Sequence, residues 1–227
     1  MECKNIQLIK NDQTILHDIS FSIEAGDSIC ILGPSGSGKS SLFRLLNMLI
    51  TPNQGEIIYR NKHLQEYAPT ELRRKVSYVL QKPYLFGSKV EENLLYPYQL
   101  LNQKPNLHEI DNYLTQVNLS TAILQKKNTA LSGGEQQRIA LIRSLLIKPE
   151  IILLDEVTAA LDEENTLLLE KLILNEQQNH NIALLFITHN NSQAKRLAKK
   201  ILYLKAGRMD FFVNATDYFF NTGGNDE

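Results

Sequence analysis

The stretch Gly33-Pro34-Ser35-Gly36-Ser37-Gly38-Lys39-Ser40 constrains this chain more than any other. It has the spacing G-x-x-x-x-G-K-[ST], follows the apolar run Ile29–Leu32 and leads into a helical run from Ser41 to Leu49. Strand, glycine loop and helix in that order make a cradle for phosphate. The glycines let the backbone curl so that several N–H groups point inward, and the helix start adds a partial positive charge. Gly33 to Ser41 are therefore the candidate nucleotide-binding residues. Lys39 is placed for the outer phosphates and the Ser40 hydroxyl for Mg²⁺. A flexible loop would not need this spacing, and a chance match in a chain this long is on the order of one per cent.

Other short apolar runs read as strands: Val76–Leu80, Ile151–Leu154 and Ile182–Thr188. Each is nearly continuous, as expected for parallel strands covered on both faces. Alternation of such runs with helical patterns predicts an α/β fold. Gln7–Ile9 and Ile19–Ile23 alternate more and flank the polar turn Asn11-Asp12, and with Glu56–Tyr59 they predict a smaller antiparallel sheet. From about residue 85 to 148 helical signals take over. Ser88-Lys89-Val90-Glu91 and Ser132-Gly133-Gly134-Glu135 both have the Ser-x-x-Glu spacing of a capping box. Ile139, Ile142, Leu145 and Leu146 then share one helical face, which Pro149 ends. The expectation is one unit spanning 1–227, with a helical lobe inserted into an α/β core.

The run Ile151–Leu154 ends in Asp155-Glu156. A carboxylate at a strand tip beside a phosphate loop can hold Mg²⁺ through water, and its neighbour can polarise an attacking water. Bulk properties narrow the setting. The 227 residues carry 24 Lys+Arg against 25 Asp+Glu, a formal net charge of -1 that gives no reason to expect a broad grip on nucleic acid. Cys3 and Cys30 make no disulfide framework, which fits a reducing compartment. No apolar stretch approaches the ~20 residues needed to span a bilayer, so the expected location is cytoplasmic. The polar end, Asn221 to Glu227, is expected to fray.

Leu131-Ser132-Gly133-Gly134-Glu135-Gln136-Gln137-Arg138 resembles the signature motif of the ABC ATPases. It makes a second anion-binding helix start in one chain, and paired glycines exceed what a capping box requires. Gln81 resembles that family's Q-loop glutamine, Ala159-Ala160-Leu161-Asp162 its D-loop, and His189 its switch histidine; the likeness runs from about residue 5 to 212. The resemblance implies a P-loop NTPase (RecA-like) core with a small antiparallel β subdomain and an inserted α-helical subdomain. It also implies ATP and Mg²⁺ as cofactors, and a homodimer that sandwiches ATP beneath an integral-membrane permease on the inner face of the membrane. In that scheme Glu156, His189, Gln81 and Lys39 act in catalysis. Ser40, Gln81 and Asp155 serve the metal, while Ser132, Gly133, Gly134 and Asp162 meet the other subunit and its nucleotide.

Two features refine the resemblance. No Phe, Tyr or Trp precedes Phe21, so Leu8, Ile9 or Lys10 would occupy the place of the family's adenine-stacking aromatic. Leu85 to Leu94, with Tyr96-Pro97-Tyr98 and Asn102-Gln103-Lys104-Pro105, resembles the FetA-type ATPases, which pair with a FetB-type permease and are linked to iron export. A soluble ABC ATPase of DNA repair is the alternative, but the interval from Ser41 to Ala130 is short for the coiled coil or zinc insertion usual there. A ribosome-associated ABC protein generally carries two such units.

Overall fold

Two hydrophobic periods coexist in the chain, and they build two kinds of sheet. In the computed structural model, which describes residues 1–222, the order begins β1 (Glu2–Lys10), β2 (Gln13–Ser22), β3 (Ser28–Leu32), α1 (Lys39–Leu46), β4 (Gln54–Tyr59) and β5 (Lys62–His63). It continues with α2 (Pro69–Lys75), β6 (Val76–Val79), α3 (Val90–Leu100), α4 (Leu107–Gln116) and α5 (Gly133–Leu146). It closes with β7 (Ile151–Asp155), α6 (Glu163–His180), β8 (Ala183–Ile187), α7 (Asn191–Leu197), β9 (Lys200–Lys205), β10 (Arg208–Asn214) and α8 (Ala215–Thr222). Residues 223–227, on which much of the expectation of a frayed end falls, lie outside the described ones. Among the described residues no helix is long and apolar enough to cross a membrane.

The larger sheet has the order β10-β9-β3-β8-β7-β6. β9, β3, β8, β7 and β6 run parallel, and β10 returns antiparallel to β9. Every residue of β3, β7 and β8 is buried, which accounts for their unbroken apolar runs. Because strand side chains alternate faces, the sheet separates two cores. Cys30, Leu32, Ile152, Leu154, Leu184 and Phe186 pack with the helical lobe and α6. Ile29, Ile31, Ile151, Leu153, Leu185 and Ile187 pack with α1 and the smaller sheet. Both cysteines are free and buried, one in each core. Burial pushes the Cys3 thiol up to about 12 and raises that of Cys30 as well.

The smaller sheet, β2-β1-β4-β5, is antiparallel as expected, and its first hairpin turns at Asn11 and Asp12, both at positive φ. β9 and β10 form a second hairpin, through Ala206-Gly207, that sequence patterning does not predict. The helical lobe is α3 to α5 with 3₁₀ turns at Thr121–Gln125 and Asn128–Ala130. Its first cap is displaced by one residue from the expected Ser88–Glu91 pair. Helix α3 starts at Val90, and Glu92 Oε1 collects the backbone N–H groups of Ser88 and Lys89 (2.8 Å each) and the Ser88 hydroxyl (2.7 Å). Three donors on one carboxylate outweigh the alternative, and Glu91 instead accepts from Gln125. The second cap forms as read: Glu135 N–H donates to Ser132 Oγ (3.1 Å) and Ser132 N–H to Glu135 Oε2 (2.8 Å).

Candidate active site

Gly33 leaves β3 at φ 141°, and a Cβ there would collide with the carbonyl of Leu204, so only glycine lets the loop start this close to the neighbouring strand. Gly38 closes the loop at φ 101° as the N-cap of α1. Lys39, the first helical residue, folds its ammonium back onto the carbonyls of Gly33 (2.8 Å) and Pro34 (2.9 Å). Burial lowers the pKa of that ammonium, against the pull of Glu156 and Asp155. Ser35, Gly36, Gly38, Lys39, Ser40 and Ser41 line a cavity of about 310 Å³. Gly33 and Pro34 stand behind it, and the Ser37 hydroxyl is buried with no hydrogen-bond partner.

The carboxyl ends of the parallel strands deliver the remaining groups, where open α/β sheets place their ligands. Asp155 ends β7, 4% exposed; its Oδ1 accepts from Ser40 Oγ (3.2 Å) and its Oδ2 from the Tyr78 hydroxyl (2.7 Å). Burial, with the bond to Asp155, raises the Tyr78 pKa. Glu156 takes a left-handed φ of 48°, which turns its carboxylate off the strand line. There it lies between two partners: Gln81 Nε2 donates to Oε2 (2.9 Å), and His189 Nε2 stands 3.2 Å from Oε1. Glu156 and His189 also line the cavity of the phosphate loop. Both face a second cavity as well, of about 820 Å³, with Thr158, Leu161 and Arg196.

Ser132, Gly133, Gly134 and Asp162 line neither cavity. Ser132 and Gly133 are exposed at the start of α5, outside the cavity of the chain's own phosphate loop. Asp162 caps α6 through the N–H of Asn165 (2.8 Å), and Asn165 in turn accepts from Arg138 of α5. This chain of contacts ties the cap of α6 to helix α5.

Residues 16–159 match the family model described as ABC transporter. The chain is an ATP-hydrolysing subunit of the ABC transporter family. It is 38% identical over 211 residues to the probable iron export ATP-binding protein FetA of Escherichia coli (strain K12), covering 92% of this chain and 93% of FetA. It is 34% identical to the ergothioneine transport ATP-binding protein EgtV of Helicobacter pylori (strain G27), covering 89% and 96%. A dimeric ATP-binding cassette in a post-hydrolysis state, bound to ADP and Pi, superposes with TM-score 0.82 at 25% identity, covering 94% of this chain and 97% of that one.

Two residues that sequence reasoning did not single out stand at the loop cavity or against Asp155. The β-lobe residue that borders the loop cavity is Ile15 of β2, rather than Leu8, Ile9 or Lys10. Leu8 is buried in the lobe's core, while Ile9 and Lys10 are exposed. Tyr78 is the other; its place next to the last residue of β6 sets it across from β7, the one signal that marked it. Among the described residues no group of three or more His, Cys, Asp or Glu side chains is arranged to hold a metal ion. The hydroxyl of Ser40 beside the carboxylate of Asp155 is an all-oxygen pair. It suits Mg²⁺, which draws the rest of its shell from phosphates and water.

Proposed function

We propose that two copies of this ATPase close on two ATP molecules and drive a separate integral-membrane permease, each copy giving its phosphate loop to one nucleotide and its Ser132–Gly134 helix start to the other. One observation carries the reading. Glu156 is held between Gln81 and His189 at the phosphate loop, while the second anion-binding helix start faces outward and has no such loop of its own.

In this reading the loop amides bind the β- and γ-phosphates, and Lys39 exchanges the carbonyls of Gly33 and Pro34 for phosphate oxygens. Ser40 and Asp155 would hold Mg²⁺, which when bound neutralises charge on the phosphates. Glu156 accepts a proton from the attacking water as its oxygen bonds to the γ-phosphorus and the bond to the ADP oxygen breaks. His189 and Gln81 orient Glu156 and the γ-phosphate. Hydrolysis removes the link between the copies, and the helical lobes, which meet the permease, separate. The ATPase then sits on the inner face of the membrane through that permease.

The likeness to FetA, and the stretch from Leu85 to Pro105 at the start of the helical lobe, support export of iron or another metal ion, with the ion meeting the permease rather than this chain. The test is turnover and oligomeric state of the wild type beside Glu156→Gln. A lost general base costs about 10²–10⁴ in rate, so the variant is expected to bind ATP, hydrolyse it that much more slowly and accumulate as a dimer. Normal hydrolysis by the variant, or a monomer in ATP, overturns the assignment. An adjacent gene encoding several ~20-residue apolar spans would identify the permease.

A further inference from the structure

The groups at the γ-phosphate end rest on a buried polar network that links the segment after Glu156 to the helix after His189. Gln193 of α7, 4% exposed, is its centre. Its Nε2 donates to Thr158 Oγ1 (3.0 Å) and to Glu170 Oε1 of α6 (3.0 Å), and its Oε1 accepts from the Thr158 hydroxyl (3.2 Å). Glu170, 3% exposed, is neutralised by a two-point pairing with Arg196, Nε to Oε2 and Nη2 to Oε1, each 2.8 Å. The backbone N–H of Gln193 donates to Asn190 Oδ1 (3.0 Å), and Asn190 N–H donates to Thr188 Oγ1 (3.0 Å), so the turn that holds His189 is tied to the same helix.

Thr158 lies two residues beyond Glu156, in a segment closed by the bonds Ala159 N–H to Glu156 O (3.1 Å) and Leu161 N–H to Thr158 O (3.0 Å). The strands themselves are paired as far as Asp155 and Ile187, with Glu156 N–H on the carbonyl of Ile187 (3.1 Å). Past that last bond, the side-chain amide of α7 is what ties the segment after Glu156 to the turn after His189. Burying a glutamine and a carboxylate costs free energy unless every polar atom is satisfied, and here the pairing is complete. The left-handed backbone of Glu156 needs such support, because a non-glycine residue at positive φ persists only where its surroundings hold it.

We propose that Gln193 is a positioning residue for hydrolysis: through Thr158 it fixes the 3.2 Å approach of His189 to Glu156. The proposal rests on the roles given above to Glu156 and His189. The experiment compares Gln193→Met, Thr158→Val and their double variant with the wild type and with Gln177→Met. Gln177 is likewise a buried glutamine, in α6; its amide donates to the carbonyl of Asp27 (2.7 Å), just before the amino end of β3 and so at the opposite end of the parallel strands. Expected for Gln193→Met are an unchanged KM for ATP, a kcat about tenfold lower, and faster amide hydrogen exchange across 156–161 in the nucleotide-free chain. Thr158→Val should match it, and the double variant should be no worse than either, since the two act as one unit. Gln177→Met should lose comparable thermal stability with neither effect.

The exchange readout needs no turnover. Unchanged exchange across 156–161 in Gln193→Met, an unchanged kcat, or an equal loss of kcat in Gln177→Met overturns the proposal. Glu156→Gln in the same assay separates the two levels. If it abolishes turnover while Gln193→Met is normal, only the positioning role falls; if it stays active, the site assignment falls and the proposal with it.

Discussion

Ile15 is the β-lobe side chain at the loop cavity, and if the base lies against it, an aliphatic side chain reads that base poorly. Stacking is worth ~1–3 kcal/mol per base in nucleic-acid complexes, and without it the phosphates carry most of the affinity. ATP and GTP are therefore expected to turn over with similar kcat/KM, which competition between the two in one assay would show; a strong ATP preference counts against this. Under the proposed function Tyr78 would serve the phosphate end of the nucleotide, through Asp155 as a holder of Mg²⁺. Its hydroxyl orients Asp155 (2.7 Å), and loss of a group that orients a metal ligand typically costs 10–100-fold in metal affinity. Tyr78→Phe should thus raise the Mg²⁺ concentration for half-maximal activity by about tenfold, read by titrating Mg²⁺ at saturating ATP. Neither residue announces itself in sequence, because each gains its role only from the strand register that brings it to the loop.

Between elements, Glu150 is the joint that ties the smaller sheet to the core. It accepts from the Tyr59 hydroxyl (2.5 Å) and pairs with Arg60 (2.8 Å) and Lys75 (3.0 Å). Partial burial works to raise its pKa, but the bonds from Tyr59 and Lys75 and the charges of Lys75 and Arg60 outweigh it and hold the carboxyl low. A depressed carboxylate contributes stability above its unfolded value of about 4.3, and that contribution is lost as pH falls through the folded value. Glu150→Gln should consequently melt below the wild type at neutral pH, and the gap should close as acid protonates the native carboxyl; melting curves from pH 7 downward check it. At this scale most of the fold is legible in sequence. β3, β7 and β8 are continuous apolar runs because both faces are covered, and the phosphate loop is a local pattern. The β9–β10 hairpin is not, since Lys200, Lys205, Arg208 and Asp210 break its periodicity and pairing with β3 supplies what patterning lacks. Likewise the Glu92 cap differs by one position from an equally good spacing. The contact of Gln193 with Thr158 joins residues 35 apart, beyond any local signal.

For the molecule as a whole, the proposed sharing of each nucleotide between two copies matters most. A site completed only by a second copy makes stability depend on protein concentration, because association adds to folding free energy by mass action. The melting temperature of Glu156→Gln in ATP should rise with protein concentration, while in the absence of nucleotide it should stay constant. Calorimetry over a wide concentration range distinguishes the two. The rest of the fold also favours following that association directly. Cys3 and Cys30 are sealed in opposite cores, and a thiol pushed up to about 12, as at Cys3, is almost never the reactive thiolate at neutral pH. The native protein is expected to leave thiol-directed dyes and spin labels unreacted, which a thiol titration of the folded chain checks. A single cysteine placed on the exposed start of α5 would therefore carry the only probe, and the opening and closing of the pair could be watched in an otherwise unaltered chain.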